Sequence, residues 1–190
     1  MGVEQEINTI RAVFLQGEAF GSDISFSFDS EIIFTYEDSR HNAVYFEGIS
    51  AGYSKKCFGL SENKLEKWKL FSSREDAKQY KKQALLGLGW SFGGVGFNPS
   101  LINPIKEVDR WLVYDGLGYY YGLFYRRKVI HDRAAPGFIP EEFIPAFFQG
   151  FGRSLWYVSK GSVGQLSKSI PLFPEKHLTH IWRGVGVAVA

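Results

Sequence analysis

The chain has 190 residues, a formal charge of +2 and 22% charged residues, which fits one folded domain with a sizeable core. Its single cysteine, Cys57, excludes an internal disulfide framework and a multi-cysteine metal site. The small net charge argues against a nucleic-acid protein, because phosphate binding rests on clustered Lys and Arg.

The start, MGVEQEINTI, carries Glu4 and Glu6 and no early basic cluster, so it reads as a poor signal peptide. Glu6 stands where myristoylation needs Ser or Thr. The uncharged stretch from Ala84 to Ile105 is broken by Asn98, Pro99, Ser100, Asn103 and Pro104, which argues against a membrane span. A cytoplasmic protein is expected.

Read in chain order, a short pattern recurs: two mostly apolar residues, one variable residue, then Gly-x-small. It appears as Phe14-Leu15-Gln16-Gly17-Glu18-Ala19 and as Tyr45-Phe46-Glu47-Gly48-Ile49-Ser50. Leu85-Leu86-Gly87-Leu88-Gly89 and Val113-Tyr114-Asp115-Gly116-Leu117-Gly118 follow. Phe147-Phe148-Gln149-Gly150-Phe151-Gly152 and Ile181-Trp182-Arg183-Gly184-Val185-Gly186 complete the series. The first glycines are 31, 39, 29, 34 and 34 residues apart. That is the length of two short helices and their turns, as in helical solenoids.

Between the motifs, Ile24–Phe28 and Ile32–Tyr36 have β-propensity, but the repeat logic assigns them to helix. Asn63–Phe71 and Val163–Phe173 are read as partner helices. Ser73-Arg74-Glu75-Asp76 offers Ser73 as an N-cap for a helix running to Leu88. Pro140-Glu141-Glu142, with Pro at N1, and Pro174-Glu175-Lys176 open two more. Asn98-Pro99 and Pro136-Gly137 read as loops. The expected fold is all-α, a helix-pair solenoid-like array of roughly ten to twelve helices over residues 1–190.

Glycine inside a helix costs about 1 kcal/mol relative to Ala. Its return is close helix approach, so the Gly-x-Gly motifs are packing motifs. A dinucleotide loop needs Gly-x-Gly-x-x-Gly. Here Gly89 and Gly118 are each followed by three residues before the next glycine.

The series from Arg110-Trp111 to Gly118, then Gln149-Gly150-Phe151-Gly152-Arg153-Ser154-Leu155-Trp156 and Trp182-Arg183-Gly184-Val185-Gly186-Val187-Ala188, resembles the UnbL-type domain-of-unknown-function family. The resemblance runs from about residue 10 to the end. It implies a link to bacterial enediyne polyketide clusters and no demonstrated activity. Where the family carries His and Glu after Asp-Gly-x-Gly, this chain has Tyr120 and Tyr121. Leu85 stands where the family has a His before Gly-x-Gly-Trp. A catalytic scheme built on those histidines therefore loses support. The chain ends on apolar Val187-Ala188-Val189-Ala190, which reads as a truncated family member or as an end covered by another subunit.

The residues before the first glycines are Gln16, Glu47, Leu86, Asp115, Gln149 and Arg183. Stacked repeats would set them in a ladder, with Arg183 and Arg153 neutralising Asp115 and Glu47, since buried charges must be paired. The ladder is either an internal network fixing repeat register or a polar strip in an aromatic groove. His177 and His180, with Glu175 near, read as a solvated helix face rather than a metal site. Cys57 beside Lys55 and Lys56 is a weak candidate for a lowered pKa. Arg126-Arg127-Lys128, after Phe124-Tyr125, reads as a solvated helix end or an anionic contact.

The leading expectation is a non-catalytic binding or scaffold protein. By resemblance it assists biosynthesis of a hydrophobic polyketide-like product. The alternative is a pathway enzyme using Glu47, Asp115, Gln149, Arg153 and Arg183. Expected partners are a lipophilic molecule or a pathway protein, with peripheral membrane contact or a homo-oligomer through the apolar end as further options. No cofactor, metal or nucleic acid is expected.

Overall fold

A computed structural model describes residues 2–23, 35–60, 64–97 and 99–190. The fold is all-α, and the described residues contain no strand. Helix α1 spans Val3–Ser22, with Glu4 and Glu6 in its first turn, where acids suit the helix dipole. The expectation of helix at Ile24–Phe28 and Ile32–Tyr36 lies, through residue 34, outside the described residues. Thr35 and Tyr36 are not helical: the Tyr36 N–H donates instead to Asn42 Oδ1 at 2.7 Å. A 3₁₀ turn at Ser39–His41 leads into α2, Asn42–Leu60.

Helices α3 (Lys64–Ser73) and α4 (Glu75–Lys78) connect to α5 (Lys81–Val95). Ser73 is therefore not an N-cap. It closes α3, and its hydroxyl donates back to the Leu70 carbonyl at 2.9 Å. Gly96, at φ 93°, ends α5, a conformation glycine adopts without strain. Pro99 is not loop but the first residue of α6, Pro99–Ile102, while Asn98 lies outside the described residues. Helix α7 spans Glu107–Phe124 and α8 Arg126–Asp132. A 3₁₀ turn, Glu141–Phe143, leads into α9, Ile144–Val158. Pro140 caps that turn from outside rather than occupying N1. Helix α10 is Val163–Ser169, and α11 is Glu175–Val189 with Pro174 at its N-cap.

The long helices α1, α2, α5, α7, α9 and α11 pack side by side in chain order. Glycine makes this possible. A Cβ on Gly48, Gly87, Gly116, Gly150 or Gly184 would strike a backbone carbonyl oxygen of the preceding long helix, at Phe14, Glu47, Leu86, Asp115 and Gln149 respectively. The second glycines face forward: Gly89 meets the Val113 carbonyl, Gly118 that of Phe147, and Gly152 that of Ile181. In α2, Ser50 holds this second place, and its hydroxyl donates to the Ala84 carbonyl at 2.7 Å. These approaches bring Cα–H groups onto carbonyl oxygens, a weak attraction repeated along each seam, and draw the flanking side chains into dispersion contact.

The first motif needs a shifted frame. Gly17 meets the Tyr45 carbonyl of the following helix, so it plays the part of a second glycine. Exposed Leu15 holds the first-glycine place, and Phe14, not Gln16, is the counterpart of Glu47 and Asp115. The reason is that α1 has no preceding helix among the described residues, and close approach is needed on one side only. In the new frame the second places fall at 17, 50, 89, 118, 152 and 186.

Neighbouring helices run the same way, since the contacting pairs rise together along both partners. Yet Lys160, just after α9, meets Glu4 at the start of α1 at 2.7 Å. Each step must therefore be skewed, and the skews add up until the array folds back on itself. The shorter elements pack on one face of the array, burying Phe46, Phe71, Leu88, Phe143, Phe147, Phe151, Leu166 and Ile170. A second cluster, Phe14, Ala51 and Trp90 with Tyr119 and Tyr120, gathers on the inner face.

Candidate functional site

The ladder positions recur once per long helix, and residues four places further on lie one turn along the same face. Those later positions are Glu18, Ala51, Trp90, Tyr119, Arg153 and, exposed on α11, Val187. Because the array curls inward, the two rows converge on the inner face.

Arg153 is the centre. Its Nη2 lies 2.9 Å from Asp115 Oδ1 on α7 and 3.6 Å from Glu47 Oε1 on α2. Its guanidinium sits over the Tyr119 ring, 4.8 Å from the centroid, within cation–π range. Gln149 donates from Nε2 to Asp115 Oδ2 at 2.8 Å. Asp115 and Glu47 are 3% and 8% exposed, so these charges have little access to solvent. The Arg153–Asp115 contact is a close buried ion pair, whereas Arg153 Nε is buried without a hydrogen-bond partner.

Burial pushes both carboxyls above their ordinary range, and Arg153 opposes that push without cancelling it. Burial also works against the guanidinium, but Asp115 and Glu47 more than offset it and hold Arg153 above its usual value. Burial likewise raises the Tyr119 phenol far above its usual value. With all three groups ionised the cluster carries two negative charges and one positive.

Aromatic rings frame the cluster. Tyr157 stands edge-on to Tyr119, with centroids 5.8 Å apart, and Trp90 lies 5.4 Å from Tyr119. Phe14 meets Trp90 edge-on at 4.9 Å. The Trp90 indole N–H donates to Glu18 Oε1 at 3.4 Å, and Glu18 is also paired with Lys55.

Of the six expected residues, the structure brings together Glu47, Asp115, Gln149 and Arg153. Gln16 and Arg183 are exposed and belong to no such cluster. Gln16 is displaced by the frame shift in α1. Arg183 lies on the last helix, beyond the inward curl, so the expected neutralisation of Asp115 and Glu47 falls to Arg153 alone. Tyr119, Trp90 and Tyr157 were not singled out from the sequence. Their signal was the spacing of four from the ladder, or eight for Tyr157.

Two further expectations are corrected. His177 is buried, stacked on Phe148 with centroids 4.1 Å apart, because the inward face of α11 packs on α9. It is not part of a solvated face, and burial lowers its pKa. Burial raises the Cys57 thiol, outweighing its lysine neighbours. The described residues hold no group of three or more His, Cys, Asp or Glu able to hold a metal ion. No described helix is long and apolar enough to cross a membrane.

A family model described as "Protein of unknown function (DUF1702)" matches residues 2–190, and the chain belongs to that family. No curated protein and no solved structure matches it.

Proposed function

We propose that the protein is a non-catalytic helical-repeat binding protein. Its inner face holds a lipophilic molecule by an oxygen-bearing group placed against Arg153. The observation that carries this reading is the buried Arg153 Nε, a donor with no hydrogen-bond acceptor, set among Tyr119, Tyr157 and Trp90. Buried donors are nearly always satisfied, and one that is not calls for a partner. Rings around a few fixed polar groups are the usual make-up of a small-molecule site. Asp115 and Glu47 are engaged with Arg153 and Gln149, which favours holding a ligand over proton transfer to it. The resemblance to enediyne-cluster proteins suggests a polyketide-like molecule as the natural ligand.

Native mass spectrometry of freshly purified protein tests the reading, followed by titration with an anionic naphthalene-sulfonate dye read by tryptophan emission. A bound lipophilic mass, or saturable dye binding weakened at least tenfold in Arg153→Lys with little change in melting temperature, is the expected result. Lys keeps the charge but loses the planar fork. Dye binding equal in both proteins, with no bound mass, overturns the proposal.

A further inference from the structure

At the junction of α7 and α8 the surface changes character. Phe124 is 60% exposed, Tyr125 45% and Phe138 42%. They form one continuous aromatic patch: Phe124 lies 4.6 Å from Tyr120, Tyr125 lies 5.0 Å from Tyr121, and Phe138 lies 6.5 Å from Tyr121. Arg126, Arg127 and Lys128 follow directly, and Arg133 is exposed at the end of α8. Residues Leu123 to Lys128 line a hollow of about 310 Å³.

The charges are not balanced within the fold. Lys128 is paired with Asp132 at 2.8 Å, but Arg126 and Arg127 have no ion pair among the described residues. The end of α7 is a favourable neighbour for a cation. The first turn of α8, where all three cations sit, is an unfavourable one, because the helix dipole repels positive charge there. Internal electrostatics therefore do not account for the cluster, and packing covers Phe124 and Tyr125 on one side only, leaving them 60% and 45% exposed.

We infer that this end of the molecule docks on an anionic membrane surface, with Phe124 and Tyr125 entering the headgroup region and Arg126, Arg127 and Arg133 facing lipid phosphates. Aromatic rings favour the membrane–water interface, and clustered Lys and Arg are drawn to anionic lipid. A free phosphate or other small anion would engage the cations and leave the rings unused. The patch also joins the inner face. Phe124 lies 5.7 Å from Trp90, which touches Tyr119 beneath Arg153. Docking would thus set the candidate site beside a source of lipophilic ligand. That last link rests on the binding reading, whereas the docking does not.

Co-sedimentation with vesicles tests it, comparing pure phosphatidylcholine with a mixture containing about one third phosphatidylglycerol, since the attraction is to anionic lipid. The expected result is pelleting with the mixed vesicles only, and release at high salt. Binding should be weakened about tenfold or more in the double variant Arg126→Glu, Arg127→Glu, and also weakened in Phe124→Ser. Phe124 and Arg127 are exposed and Arg126 is partly so, so unchanged circular dichroism melts are expected of the variants. Equal pelleting with both vesicle types, or undiminished binding by the charge-reversed variant, overturns the inference. So does binding of an RNA oligomer in place of vesicles. Dye binding at Arg153 is read separately, so either proposal fails alone.

Discussion

Arg153 on α9 reaches Glu47 on α2 at 3.6 Å, although α5 and α7 stand between those helices in the packing order. A flat row of helices could not make that contact. The pair is thus both a measure of the inward curl and a clasp across it. Removing one partner of a buried ion pair typically costs about 3–5 kcal/mol, because the other charge is left unpaired. Arg153→Leu strands two carboxylates, so it should lie at the upper end of that range. Converting Asp115 to Asn and Glu47 to Gln in the same chain should recover much of the loss. Urea denaturation of the single and triple variants is the check.

The raised Glu47 and Asp115 carboxyls give the fold a pH signature. An acid whose folded pKa exceeds its unfolded value takes up a proton on folding. Its stabilising contribution is full below the unfolded value and is lost as pH rises through the folded one. Melting temperature should therefore fall as pH rises above the ordinary Glu value of 4.5. Glu47→Gln should flatten that slope. A variant with the wild-type slope would refute the assignment.

The ladder residues should divide sharply in stability. Gln149→Ala removes the donor to Asp115 Oδ2, and losing a hydrogen bond to a charged group costs about 1.5–3 kcal/mol. Gln16→Ala and Arg183→Ala change exposed side chains and should stay within about 0.5 kcal/mol of wild type. Asp115→Asn separates the two uses of the cluster: a structural network predicts lower stability with unchanged dye affinity, and the proposed binding site predicts tighter dye binding, because the anion no longer competes with the Asp115 charge for Arg153.

Glycines of one motif should differ as strongly. A Cβ at Gly118 would run into the Phe147 carbonyl oxygen, whereas one at Gly186 meets nothing. Gly118→Ala should destabilise by about 1–3 kcal/mol or more, as overpacking does. Gly186→Ala should be neutral or stabilise by up to about 1 kcal/mol, the difference in helix propensity. Chemical denaturation of the two single variants decides.

Cys57 should resist thiol reagents in the folded protein, since it is 4% exposed and burial raises its thiol pKa. Only the thiolate reacts readily. Labelling by a disulfide-exchange reagent should appear only as urea unfolds the chain.

The helical class was legible because glycine pairs recurring in apolar runs have few uses other than close helix packing. The motif frame in α1 was not, because one-sided packing relaxes the need for a glycine at Leu15. Glu47, Asp115, Gln149 and Arg153 stood out as polar residues in apolar helices. Their mutual approach could not be read, since it depends on skews accumulated over several helices. The same accumulation left Arg183 outside. Tyr119 and Trp90 were hidden by abundance: among 32 aromatic residues (17 Phe, 10 Tyr and 5 Trp), nothing local marks the one that faces a guanidinium or the one packed against it.

Leu15 makes the first and last described helices unlike. A Cβ on Gly186 of α11 would meet nothing within 4 Å. At the corresponding first-glycine place of α1 stands an exposed, branched Leu15. A head-to-tail contact between copies would therefore meet Leu15 where the internal seams have a glycine, and could not approach as closely. Leu15→Gly removes that difference, and light scattering that grows with concentration in the variant and not in the wild type is the expected result.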